Sequence, residues 1–205
     1  MEEQKFKCIS CSIFKDILEE VKRKNNLNIE LNYVSSMLHM SPEKLEKSLN
    51  KKLVDIKEEE KTLLLFGDCH PHMHEMEIEN HIVRMPGINC IEILLKKDEY
   101  RKLRKEGAFF LLPEWTHRWR EVFMEELGLS EEVAKGFFKD CHTKLIYLDT
   151  KVNEIPFQII SDISEFTGLP FEILEINYEV ISDRIKEMIK NFSKNNQEKK
   201  SEQTI

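Results

Sequence analysis

The sequence holds none of the short motifs that usually mark an enzyme: no glycine-rich loop to cradle a phosphate, no G-x-S-x-G turn to expose a nucleophile, no paired C-x-x-C knuckles. Positive charge is in deficit, with 31 Lys and Arg against 38 Asp and Glu for a formal net charge of −7. That balance disfavours nonspecific binding to nucleic acid or to an anionic membrane, both of which rely on a Lys/Arg excess. No apolar run approaches the roughly 18 residues that span a bilayer. The start, Met1 to Lys7, is charged and lacks the apolar stretch of a signal peptide, so a cytosolic protein is expected.

What is present suffices for a folded core. At 205 residues and 40% hydrophobic content the chain is most economically read as one α/β domain over residues 1–192 with a disordered polar tail over 193–205. Its five cysteines are an odd number, and in a reducing compartment they are read as ligands, reactive thiols or small core residues before disulfides. Cys8 and Cys11 form a lone C-x-x-C, but Cys8 falls inside a strand pattern, where core packing is the simpler fate.

Strand and helix patterns alternate along the chain. KFKCIS (Lys5–Ser10) reads as a strand, with Cys11 beyond its end, and Ile13, Ile17, Leu18 and Val21 recur at helical spacing. Asn28–Val34 alternates as a second strand, and Ser41-Pro42 opens a helix to Leu53. Thr62–Phe66 is continuously apolar, as in a strand buried on both faces. His81–Met85, Ala108–Leu112, Lys144–Leu148 and Phe171–Glu175 complete seven strands. Helices are expected over Cys90–Lys105, Glu114–Leu127, Ser130–Asp140, Glu154–Thr167 and Glu179–Phe192. The alternation predicts a doubly wound, mainly parallel sheet of six or seven strands in flavodoxin- or Rossmann-like layers.

In such a sheet, residues just beyond the carboxyl ends of strands gather where the strand order reverses. Cys11, Cys69 and Cys90 follow the first, third and fourth strands, each near a helix start whose dipole favours a thiolate. Three thiolates leave a coordination position open on zinc or on one iron of a four-iron, four-sulfur cluster (4Fe-4S). The plainer alternative is three small buried residues at strand ends. Beside Cys69 stands His70-Pro71-His72-Met73-His74, where His70 offers a fourth ligand or the segment is a histidine-rich surface loop. His39, His117 and His142 read as capping or surface residues. Asp149 and Thr150, at another strand end, suit either a ligand hydroxyl or a local cap. Trp115 suits either a crevice wall or the core.

The runs IsCsIFKDILEE from Ile9, LHMSPEKLEKSL from Leu38, LLLFGDCH from Leu63, VRMPGINCIEILL from Val83, FFLLPEW from Phe109 and LIYLDT from Leu145 resemble, in order and spacing, the family called domain of unknown function 1638. The resemblance spans roughly Phe6 to Met188. It implies that Cys11, Cys69 and Cys90 act together, since the family pattern has cysteine at those positions. It also implies rim positions for His39 in an L-H-x-x-P element, Trp115 in a P-x-W element, and Asp149-Thr150 in an I-D-T element. Cys8 and Cys141 match no family motif. Asp68, His70 and Gly87-Ile88-Asn89 depart from the pattern around the second and third cysteines, which implies a divergent member with altered coordination or substrate. Family members occur among anaerobes beside corrinoid methyl-transfer proteins, so a corrinoid protein or methyltransferase is the partner implied.

Three functions remain open on the sequence. The first is a metal or iron-sulfur protein whose thiolates, joined by His70, leave an accessible position for corrinoid-linked methyl transfer or one-carbon chemistry. The second is a non-catalytic accessory protein that grips a corrinoid or a methyltransferase. The third is a metal-free thiol enzyme with Cys69 as nucleophile and His70 or His74 as base.

Overall fold

The computed structural model describes residues 5–54, 56, 60–79 and 82–202. The chain divides into two compact units, residues 1–93 with 178–205 and residues 94–177.

In the first unit β1 (Phe6–Cys11), β2 (Ile29–Val34), β3 (Lys61–Leu65) and β4 (Val83–Arg84) form a wholly parallel sheet in the order β2-β1-β3-β4. β3 is buried at every residue, Lys61 and Thr62 included, and its apolar run Leu63–Leu65 suits a strand covered on both faces. α1 (Lys15–Asn25) follows β1 and buries Ile17, Leu18 and Val21, then stops at Asn26 in the left-handed region. α2 (Pro42–Val54) follows β2, opened by Pro42 at its first position, and buries Leu45, Leu49 and Leu53 on one face. α3 (Met73–Glu79) and α4 (Cys90–Leu95) follow β3 and β4. From β1 the chain steps to β2 on one side, and β3 lies on the other. The order therefore reverses between β1 and β3, the point at which open α/β sheets gather functional groups at the carboxyl ends of their strands.

The second unit carries α5 (Lys97–Lys105), β5 (Ala108–Leu111), α6 (Pro113–His117), a π-helical segment Glu121–Glu126, α7 (Glu131–Cys141), β6 (Lys144–Asp149), α8 (Phe157–Thr167) and β7 (Phe171–Glu175). Its three strands are parallel in the order β5-β6-β7. Ser130 caps α7 by accepting from the Val133 N–H, and Gly168 ends α8 in the left-handed region. After Asn177 the chain returns to the first unit as α9 (Glu179–Glu202), which buries Ile181, Ile185 and Met188.

All seven expected strands form, yet they pair as sheets of four and three where one sheet of six or seven was expected. Cys11 is the last residue of β1, paired with Val34, and does not lie beyond the strand. His81, expected in the fourth strand, lies outside the described residues. The helix expected over Cys90–Lys105 breaks at Lys96, whose φ is +68°. Ile93, Leu94 and Leu95 are three consecutive buried residues, which no single helical face can supply, whereas α5 buries none. The helix expected over Glu114–Leu127 is divided at Arg118 into α6 and the π-helical segment. α9, expected to end at Phe192, runs on to Glu202 through a stretch with neither glycine nor proline and many strong helix formers.

Candidate metal centre

Cys11 ends β1, and its Sγ lies 3.7 Å from His39 Nε2. His39 belongs to a 3-10 turn, Ser36–Met40, and the Ser36 N–H donates to Ser12 Oγ at 2.8 Å. That bond fastens the segment after β2 to the end of β1, so the pairing of Cys11 with His39 follows from the connection. The His39 ring also leans on Phe66, which follows β3, with centroids 6.5 Å apart. Burial pulls the His39 pKa below its ordinary value, so the imidazole is held neutral beside the thiol.

The loops that carry Cys69 and Cys90 are brought together by a backbone contact. The Asp68 N–H donates to the Ile88 carbonyl at 2.9 Å, and a Cβ on Gly67 would fall 2.4 Å from Asn89 Cα and 2.6 Å from Asn89 N. Only glycine lets the loop after β3 lie this close to the loop after β4. Asn89 then caps α4 by accepting from the Glu92 N–H at 2.9 Å, which sets Cys90 in the first turn. Burial pushes the Cys90 thiol up to about 12, and the negative charge that Cys69 would carry pushes it in the same direction. Cys69 is also raised, first by burial and then by Asp68, while a hydrogen bond from the Gly67 backbone and the Arg84 guanidinium oppose the rise. Arg84 itself is clamped, reaching Asp68 at 2.7 Å and Glu77 at 3.4 Å. Without a cation these thiols are protonated; a bound soft metal ion deprotonates its thiol ligands outright.

The histidine cluster resolves into different environments. His70 is buried, and its Nδ1 accepts from the His72 backbone N–H at 3.1 Å. His70 Nε2 faces Glu46 Oε2 at 3.6 Å, and His72 Nδ1 faces Glu46 Oε1 at 3.2 Å. His74 turns away to Glu77, at 4.0 Å. Among the described residues, Glu46, His70 and His72 are the group of three whose ligand atoms all lie within 4.8 Å of one another. His70 thus joins a carboxylate and a second imidazole, and Glu46 carries no sequence signal beyond its place in the first turns of α2.

Of the rim positions, His39 stands beside Cys11 in the first unit, whereas Trp115, Asp149 and Thr150 lie in the second. Asp149 is buried at the end of β6, and both its oxygens serve the next turn: Oδ1 accepts from the Lys151 N–H at 2.9 Å, and Oδ2 meets Lys151 Nζ at 2.8 Å. Thr150 is buried beside it, and Trp115 sits half-buried on α6. Trp119, four residues on, is the more buried tryptophan and packs on Phe166 with centroids 5.0 Å apart. His142 caps the end of α7 against Phe109, and Cys141 is exposed. Cys8, inside β1, is wholly buried, with its thiol pushed up to about 12 by burial.

A family model described as protein of unknown function (DUF1638) matches residues 33–185, most of the chain. The chain belongs to this family. No curated protein and no solved structure matches it. The matched span includes His39, Glu46, Cys69, His70, Cys90, Trp115, Asp149 and Thr150, whereas Cys11 lies ahead of it.

Proposed function

We propose that this DUF1638 protein is a metal-binding protein whose centre uses Cys11, Cys69 and Cys90 at the carboxyl edge of the four-stranded sheet. The observation that carries the reading is the approach of the Gly67 and Asn89 backbones, which holds two thiols near enough for the charge of one to oppose ionisation of the other. A cation relieves that repulsion and supplies what burial withholds from both thiolates. Cys11, with a neutral imidazole beside it, stands at the adjoining strand end, and the strand-order reversal between β1 and β3 supports the reading, since open α/β sheets bind ligands at such a point. A doubly wound layering, with helices on both faces of the sheet, is part of the same proposal.

Three soft ligands with an open position suit zinc or a 4Fe-4S cluster. Either would activate a thiol or bind a one-carbon donor as a Lewis acid, the chemistry of corrinoid-linked methyl transfer. A metal-free Cys69 nucleophile is less well supported: the His70 ring is engaged by the His72 amide and Glu46, and His74 faces Glu77.

The test is the absorption spectrum and metal content of protein purified without oxygen. Brown protein with iron and sulfide, or colourless protein with stoichiometric zinc, supports the reading. Each of Cys11→Ser, Cys69→Ser and Cys90→Ser should lower the bound metal, and full retention by any one removes that residue from the centre. Protein that holds no metal and resists reconstitution overturns the proposal.

A further inference from the structure

We infer that Glu46, His70 and His72 form a second metal site, distinct from the thiols, that takes a divalent first-row transition-metal ion through two imidazoles and one carboxylate.

The separations fit a shared ion. Glu46 Oε2 lies 3.6 Å from His70 Nε2 and Oε1 lies 3.2 Å from His72 Nδ1, so each oxygen faces one imidazole; with bonds of roughly 2.1 Å these separations subtend about 120° and about 100° at an ion held by both oxygens. Both angles lie in the range of tetrahedral and octahedral sites. Three protein ligands leave positions open for water or an oxygen-donor substrate.

The charges fit as well. Among the described residues Glu46 faces no Lys or Arg, and its ionic partners are the two histidines. A carboxylate set between two imidazoles is a donor set whose charge a divalent ion complements. The ligands also come from separately anchored segments. Glu46 sits beside the buried Leu45 on α2, and His70 is buried in the loop after β3. His72 stands at the entrance of α3, its ring edge-on to that of His70 with centroids 5.2 Å apart. Nitrogen and oxygen donors without sulfur favour zinc, ferrous iron or cobalt(II) over the softer ions that thiolates select.

Loading has a structural signature. A metal on His70 Nε2 requires the ring proton on Nδ1, which now accepts from the His72 N–H. The two N–H groups would then oppose each other, so the turn through Pro71 must rotate as the ion binds. Binding is therefore expected to shift the His72 amide resonance.

The experiment is a cobalt(II) titration of the full-length protein, read by absorption and by equilibrium dialysis. Thiolate-bound cobalt gives strong near-ultraviolet charge transfer, whereas cobalt held by nitrogen and oxygen gives only weak visible bands. We expect one equivalent of cobalt of the second kind. His72→Ala and Glu46→Gln should each weaken it more than about tenfold, while Cys69→Ser and Cys90→Ser leave it intact. His72 is 62% exposed, so its replacement leaves the fold undisturbed, and circular dichroism checks this. Cobalt bound only through thiolate, or weak-band cobalt unchanged by His72→Ala and Glu46→Gln, overturns the inference. Loss of the charge-transfer bands alone counts against the thiol centre and not against this site.

Discussion

Gly67 lies against the backbone of Asn89 so closely that a methyl group on Gly67 would stand 2.4 Å from the Asn89 Cα. The obstructing atoms are main chain, which cannot turn aside as a side chain can. Gly67→Ala is therefore expected to lower stability by about 2 kcal/mol and to weaken metal binding with it, because the loops carrying Cys69 and Cys90 must part. Gly136, inside α7, is the control, with nothing within 4 Å of its added Cβ. Gly136→Ala should raise stability by about 0.5–1 kcal/mol through helix propensity. Denaturant titration of both variants reads the opposite signs.

Thiol reactivity in metal-free protein should follow burial. Cys141 is exposed and should be alkylated first and the half-buried Cys69 next; Cys90, half-buried too, is held back by its raised thiol pKa, and Cys8 and Cys11 are protected by burial. The Arg84 guanidinium lowers the Cys69 pKa, so Arg84→Gln should raise it further and slow alkylation of Cys69 at about pH 8. Mass spectrometry after timed iodoacetamide labelling gives the order.

Acid should destabilise the protein in part through two histidines. Burial depresses His39 and His142, so between their folded values and the unfolded value near about 6.5 the unfolded chain binds more protons. Their stabilising contribution is full above that upper bound and is lost as pH falls through the folded values. His39→Gln should flatten the dependence below about pH 6.5 in denaturation curves collected across pH.

Cys8 should be dispensable for metal. Its wholly buried thiol packs inside β1, so Cys8→Ala should cost about 1 kcal/mol of stability while leaving metal content unchanged. A drop in stoichiometry would instead make Cys8 a ligand.

The strands were legible because each carries its own signal: the unbroken apolar run of β3, the alternation of β2, the proline that opens α2. Their division into two sheets was not, since pairing depends on contacts between residues far apart in sequence. The break at Lys96 was hidden because a lysine gives no sign of a positive φ and apolar Ile93, Leu94 and Leu95 lead straight into a run of good helix formers. At the candidate site, strand-end position singled out Cys69 and Cys90 as candidates, and the neighbouring histidines drew attention to His70. Glu46 was invisible because a glutamate in the first turns of a helix is ordinary, and only the fold sets it between His70 and His72. Asp149 and Thr150 have the strand-end position expected of ligands, but both Asp149 oxygens are taken up by Lys151.

The first unit is written in two pieces, with residues 94–177 between them. Its final helix contributes Ile181, Ile185 and Met188 to the core, and Phe192 approaches the Phe6 ring to a centroid distance of 6.3 Å. On the ribosome, the apolar surface of β1 and α1 must therefore wait for its cover while the second unit is made, a delay on the order of ten seconds at ordinary elongation rates.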